Sequence, residues 1–221
     1  KRKLKGRVRN LQKISNEYFK HMNNFAVIRG TDKDDYFEIE RLANGITEVT
    51  GYRIKKGKKA GIFHQKKYDA NATKEIWIYG LDDTDEFKVF GAYSTGSFVR
   101  IIGGQNNDIY NILNGYKVKV YDYKSKKNTF LTNKGRKKLT DSYTTNVYDY
   151  KKLKYSSTEV FPTFGVNPDD GLKLGLLGVF TNYGFDRNPF TSQYSLATSY
   201  YFATEGFDIK FTSEFANVIG N

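Results

Sequence analysis

Three aspartates have a type and spacing that could do chemistry. Asp35, Asp85 and Asp108 each stand five residues after a glycine and two before an aromatic. The three segments are Gly30-Thr-Asp-Lys-Asp-Asp35-Tyr-Phe37-Glu-Ile39, Gly80-Leu-Asp-Asp-Thr-Asp85-Glu-Phe87-Lys-Val89 and Gly103-Gly-Gln-Asn-Asn-Asp108-Ile-Tyr110-Asn-Ile112. A carboxylate in such a turn has two uses. It can give oxygens to a hard cation, which takes about six to eight of them. It can also accept the backbone N–H groups that a tight turn leaves open. One pair of carboxylates supplies too few oxygens for calcium, so turn stabilisation is the preferred role. Asp35, Asp85 and Asp108 remain the metal candidates of this chain, which is expected to carry no cofactor, calcium included.

The third copy resembles the repeats-in-toxin nonapeptide, whose aspartates hold calcium between stacked turns. Gly103 and Gly104 match its glycines, Asp108 its aspartate and Tyr110 its large apolar slot, while Asn106 replaces the internal glycine. The other copies carry Lys33 and Asp83 there, and Lys33 sets a cation where calcium would sit. The copies begin at Gly30, Gly80 and Gly103. Those gaps approximate two coils and one coil of a β-solenoid, since fixed-period repeats stack. On that count only Asp85 and Asp108 lie in adjacent coils, with Asp35 at least one coil further away. The resemblance implies a second function, a soluble calcium-binding repeat module of an adhesin or carbohydrate-binding protein.

Other reactive types are sparse. The chain has no Cys, which excludes disulfides and thiolate chemistry. Its two histidines, His21 and His64, are far apart. His64 beside Lys66 and Lys67, and the run Asp82-Asp83-Thr84-Asp85, are charged clusters whose ordinary state is solvation. No catalytic residue is expected.

The elements that position these residues follow from periodicity. Residues 10–22 repeat Leu11, Ile14, Tyr18 and His21 or Met22 at helical spacing, with Lys and Arg on the other faces. From Phe25 the period becomes two, and short β-branched and aromatic runs alternate with Gly, Asn and Asp up to Tyr123. The 221 residues carry 36 Lys+Arg and 24 Asp+Glu, net +12, but the excess is local. Residues 1–24 hold eight basic and one acidic residue, and residues 117–154 hold twelve and three. Residues 25–116 balance at thirteen each, and residues 155–221 are acidic, three against seven. Two basic stretches without interleaved stacking aromatics argue against a nucleic-acid partner.

The last sixty residues are the most informative. Leu172, Leu174, Leu176, Gly178 and Phe180 alternate with Lys173, Gly175, Leu177, Val179 and Thr181. Tyr194, Leu196, Thr198, Tyr200 and Phe202 alternate with small or polar residues, as do Phe207, Ile209, Phe211 and Phe215. Consecutive segments of about ten residues with one apolar-aromatic face are the pattern of a transmembrane β-barrel. Four strands cannot close, because an open edge cannot face lipid. The chain is therefore expected to be an internal piece of a longer protein; Lys1-Arg-Lys-Leu-Lys5 leads into no apolar run.

The expected fold is all-β with a short N-terminal helix. Residues 1–24 form a basic connector helix, 25–123 a β-module with the three solenoid-like repeats, 124–157 a basic linker, and 158–221 the first antiparallel strands of an incomplete transmembrane β-barrel. These segments resemble Bacteroidota outer-membrane proteins in which a metallophosphoesterase is joined to a β-module and an Omp85-like surface-antigen barrel. The matching stretches are Gly30–Arg41, Thr73–Asp82, Arg100–Gly104 with Asn107-Asp108, and Asn167-Pro-Asp-Asp-Gly-Leu-Lys-Leu-Gly175. The resemblance implies an outer-membrane location with the module in the periplasm. It implies contact with outer-membrane lipid and with other outer-membrane or periplasmic proteins of assembly or transport. It places any phosphoesterase upstream, since no Gly-Asp-x-x-Asp or Gly-Asn-His-Glu cluster is present here.

Overall fold

A computed structural model describes residues 2–185, 189–216 and 218. The chain is mostly β, with helix α1 (Arg2–Met22) at its start, and forms two compact units, residues 1–148 and 149–221. The helix fills nearly all of the expected 1–24 connector and extends before the periodic stretch 10–22, because Arg, Lys and Leu before Leu11 are good helix formers.

In the first unit, β1 (Phe25–Arg29), β5 (Glu75–Leu81), β7 (Phe98–Gly104), β9 (Val118–Asp122) and β11 (Arg136–Leu139) form one parallel sheet in that order. A second sheet runs β10 (Thr129–Asn133), β8 (Ile109–Ile112), β6 (Glu86–Phe90), β2 (Asp35–Arg41), β3 (Ile46–Lys55) and β4 (Lys58–Asp69). β1, β5, β7 and β9 of the first sheet are each followed by a strand of the second, β2, β6, β8 and β10. The next such pair then stacks on it in parallel register, with Arg29 opposite Tyr79, Phe37 opposite Phe87 and Phe87 opposite Tyr110.

Strict alternation sends one set of side chains between the sheets. Ile28, Ile76, Ile78, Val99, Ile101, Val118 and Val120 come from the first sheet, and Phe37, Ile39, Val49, Phe87, Val89, Tyr110 and Ile112 from the second. Apart from β3 and β4, every strand has a parallel neighbour, so β-branched residues fit the closely spaced pleat. At the centre the aromatics of the three copies stack. Phe37 lies 5.2 Å from Phe87, Phe87 lies 5.4 Å from Tyr110, and Tyr110 lies 4.8 Å from Phe130.

Two features differ from the sequence expectation. The residues between the first two copies form no coil. They fold as the β3–β4 hairpin, which adds antiparallel to β2, so Asp35 and Asp85 sit on adjacent strand pairs. A lysine-rich strand such as β4 has mostly exposed side chains and no apolar face to announce it. The stretch 124–157, expected as a linker, contributes β10 and β11, which extend both parallel sheets by another layer. Its basic side chains point outward, while Phe130 joins the core.

The second unit is an antiparallel meander of β12 (Ser157–Asn167), β13 (Gly171–Asn182), β14 (Ser192–Tyr201) and β15 (Gly206–Phe215). Registry is unbroken over all three pairs, from Asn167 opposite Gly171 to Ser192 opposite Phe215. Gly171 opens β13 at φ 72°, a conformation only glycine adopts without strain.

Candidate functional site

The Gly-x4-Asp pattern builds one continuous polar ladder. The Asp35 N–H donates to Asp85 Oδ1 at 2.8 Å, the Asp85 N–H to Asp108 Oδ1 at 2.8 Å, and the Asp108 N–H to Asn128 Oδ1 at 2.9 Å. Each side chain thus caps the turn of the preceding layer. Asp35 has no layer before it, and its own carboxylate is filled by Arg53 Nη1 at 2.9 Å and by the Thr31 N–H and hydroxyl. A second row runs alongside: the Thr84 N–H donates to Asp34, the Lys127 N–H to Asn107, and Asn106 Nδ2 to Asp82.

The geometry explains the glycines. A Cβ on Gly80 would land on Asp85 Oδ2 and the Gly103 carbonyl. One on Gly103 would land on Asp108 Oδ2 and the Tyr110 hydroxyl. Gly30 has the same crowding against Asp35 Oδ2 and the Gly80 carbonyl. The repeat keeps glycine because the carboxyl occupies the space of its side chain.

Burial sets the charge state. Asp35, Asp85, Asp108 and Asp122 are almost completely buried. Burial, reinforced by the Asp108 charge, pushes the Asp85 carboxyl up to about 9, so it keeps its proton at neutral pH. Burial holds both Asp108 and Asp122 above the usual carboxylate range; the neighbouring Asp122 raises Asp108 further, while hydrogen bonds from Tyr110, Tyr123, Asn128 and Asp108 pull Asp122 back down. Burial also raises Asp35, against the opposing pull of Thr31 and Arg53. The Oδ2 atoms of Asp85 and Asp108 receive no N–H or hydroxyl donor. A carboxyl that retains its proton becomes a donor itself, and Asp108 directs it to Asp122. Asp122 also accepts the Tyr110 hydroxyl at 2.6 Å. Among the described residues, no group of three or more His, Cys, Asp or Glu is arranged to hold a metal.

The structure does not bring the other charged clusters together. Asp82 lines an open cleft of about 200 Å³ with Asp32, Gln105, Asn146 and Tyr148, while Asp83 pairs with Lys33 at 3.2 Å. Asp85 lies inside the ladder. His64 stacks on Tyr68 on β4. Burial beside Lys66 lowers its pKa.

Sequence reasoning missed three features of the constellation: a fourth copy of the repeat, Asp122 and Arg41. Asn128 and Phe130 form a fourth copy without the glycine, and Asp122 follows Tyr121, which pairs with Ile102 just before Gly103. The spacing from Asp122 to Asn128 is one residue longer than in the other copies, which hides it. Arg41 is the third. It is buried at the opposite corner, where Nη1 donates to Thr47 Oγ1 and the Ser97 carbonyl and Nη2 to the Tyr116 carbonyl. Burial lowers its pKa to about 10, which leaves it charged at neutral pH. Gly91 and Gly96, both at positive φ, make room for it.

The second unit presents a different surface. One face of its sheet carries Val160, Phe164 and Val166 from β12, Leu172, Leu174, Leu176 and Phe180 from β13, Leu196 and Tyr200 from β14, and Phe207, Ile209, Phe211 and Phe215 from β15. All are exposed, Phe164 by 86% and Val166 by 80%. Phe202, in the turn after β14, is exposed as well, and Tyr194 is half-buried. The opposite face is mainly polar or small, with Thr163, Lys173, Gly175, Gln193, Ser195, Ser199, Asp208, Lys210 and Glu214, and it also carries Phe161, Leu177, Val179 and Tyr201. Aromatics gather at both ends of the apolar face. Phe180, Phe211 and Phe215 surround Tyr194 at 5.9–6.4 Å, and Tyr200 meets Phe202 at 5.1 Å. Comparison with protein-family models, curated proteins and solved structures finds no match for this chain.

Proposed function

We propose that the chain is a non-catalytic segment of an outer-membrane β-barrel protein, in which the second unit supplies the first strands of the barrel and the first unit is a periplasmic solenoid module for partner contact. The observation that carries this is the contiguous apolar face of β12–β15. Soluble monomers rarely leave apolar patches beyond a few hundred Å² uncovered. Here four adjacent strands of ten to twelve residues each do so chiefly on one side, with Phe161 the large apolar side chain exposed on the other. The aromatic clusters lie six to eight residues apart, about 20–27 Å along the strands, on the order of the apolar band of a membrane barrel. Small and polar residues on the other face suit a barrel interior. The strand edges at β12 and β15 would be closed by further strands, since lipid cannot satisfy open backbone groups. The stacked strands of the first unit would offer a surface to neighbouring outer-membrane or periplasmic proteins. In a protein of the resembled kind, any phosphoesterase would precede this segment.

The absence of Cys permits a clean test. Single cysteines at Leu176, Leu196 and Ile209, and at Leu177, Ser195 and Lys210 on the opposite face, would carry an environment-sensitive fluorophore in the bilayer-reconstituted protein. Nitroxide lipids should quench the first set strongly and the second weakly. Equal quenching of both sets would refute a lipid-facing sheet.

A further inference from the structure

We propose that helix α1 lies on an anionic bilayer surface, with its apolar side in the headgroup boundary and its basic side toward water and lipid phosphates. This inference stands on the helix alone and is independent of the barrel proposal. At 100° per residue, Val8, Leu11, Ile14, Tyr18, Phe19 and Met22 fall within one arc of about 140°. None is covered: they are 50–69% exposed. Every side chain from Gly6 to Met22 is exposed, so the first unit's own core does not use this face. Arg9, Lys13 and Lys20 occupy the opposite side. Arg7 falls inside the apolar arc, between Ile14 and Tyr18 and near the edge at Ile14, where a long side chain can bury its stem and lift its charge to the phosphates.

Charge selects the occupant. The first twenty-four residues carry eight basic side chains and one acid, Glu17, which lies 3.9 Å from Lys13. Packing against a second copy would bring two such cationic segments together. A nucleic acid would use the charge and leave the apolar arc wet. An anionic lipid surface satisfies both sides, as in interfacial amphipathic helices, and each basic residue near it adds attraction.

The full chain serves for the test. Ser15 lies within the apolar arc and Asn16 outside it, so Ser15→Cys and Asn16→Cys would each carry a polarity-sensitive fluorophore. Vesicles of phosphatidylcholine alone and of phosphatidylcholine mixed with phosphatidylglycerol are the probes. On the anionic vesicles the Ser15 label should shift to the blue and the Asn16 label should not. High salt should reverse the shift, because exposed charges are screened. The double change Leu11→Glu with Ile14→Glu should lower partitioning about tenfold or more, while circular dichroism reports an unchanged β-sheet signal. The same response on zwitterionic vesicles would overturn the proposal, as would no response on either. An α1-dependent dimer in sedimentation without lipid would assign the apolar face to a second copy and overturn it too. A label at Leu174 reports the barrel sheet separately, so failure of one proposal is distinguishable from failure of the other.

Discussion

The Asp35 N–H donates to the carboxyl oxygen of Asp85, fifty residues along the chain, at 2.8 Å. The same bond recurs between Asp85 and Asp108 and between Asp108 and Asn128. The fourth layer therefore performs with an amide what the others perform with a carboxyl. Asn128 accepts through Oδ1 and donates Nδ2 to the Tyr123 carbonyl at 3.1 Å. Asp85→Asn should accordingly be tolerated, because Oδ1 still caps Asp35 and the amide is neutral, like the buried carboxyl it replaces. Asp85→Ala strands a buried N–H and should cost about 1–3 kcal/mol. Chemical denaturation of both variants at neutral pH checks the contrast.

The ladder also sets a pH dependence. Asp85 has an ordinary value of 3.8 when exposed and about 9 in the fold. The folded state thus holds a proton that the unfolded state releases. Stability from this group is fully present below 3.8, falls as pH rises through the interval, and is lost once the pH passes about 9. Asp108 and Asp122 are shifted in the same direction. The first unit should therefore melt at lower temperature at pH 9 than at pH 6, and Asp85→Asn should flatten that slope. Melting of wild type and variant across this range, followed by the far-ultraviolet signal, decides it.

The glycines make a sharper prediction. Gly80→Ala forces a methyl group onto the Asp85 carboxyl and the Gly103 carbonyl. It should destabilise by about 1–3 kcal/mol or more, the range of overpacked cores. Gly61 on β4 has nothing within 4 Å of the same added atom, so Gly61→Ala should be close to neutral. Equal effects at the two sites, measured by urea titration, would contradict the role assigned to the repeat glycine.

Much of the ladder was legible because its parts are local. Glycine, aspartate and aromatic stand at fixed offsets, and alternation orients Phe37, Phe87 and Tyr110 to one side. What lay beyond local spacing was harder to read. The β3–β4 hairpin hid the adjacency of Asp35 and Asp85, since a gap in sequence does not distinguish an insertion from a coil. Phe130 and Asn128 escaped because the fourth turn is longer and has no glycine. Arg41 gave no signal at all. Its partners are the hydroxyl of Thr47 and two main-chain carbonyls, and carbonyls carry no mark in a sequence. In the second unit the alternation was plain, because a period of two over ten residues fixes which side chains share a face.

The aromatic stack should behave as a unit. Phe87 lies between Phe37 and Tyr110, nearly parallel to both, at 4° and 9°. Phe87→Ala removes a fully buried ring and its contacts with both neighbours, and should cost about 3–5 kcal/mol. Phe87→Leu keeps much of the volume and should cost less than half of that. Similar losses for the two variants would place the energy in ring stacking more than in cavity formation. Equilibrium denaturation followed through the single tryptophan, Trp77 on the neighbouring sheet, reads the difference.

The last prediction concerns the apolar sheet. Leu174 pairs with Phe164 on one side and Tyr200 on the other, and its side chain is 46% exposed. In the proposed barrel this position would lie at the aromatic end marked by Tyr200, so Leu174→Arg should cost less than the about 2–4 kcal/mol expected of a midplane arginine. Ser195→Arg places the same charge on the polar face and should leave bilayer stability nearly unchanged, since interior positions of a barrel accept polar side chains. In water the two substitutions would rank the other way. Leu174→Arg would improve solubility by breaking an apolar patch. The sign of the Leu174→Arg effect therefore separates a lipid-facing sheet from one awaiting a protein cover. Folding titrations of the lipid-reconstituted protein, run beside solubility measurements without lipid, give both readings on the same variants.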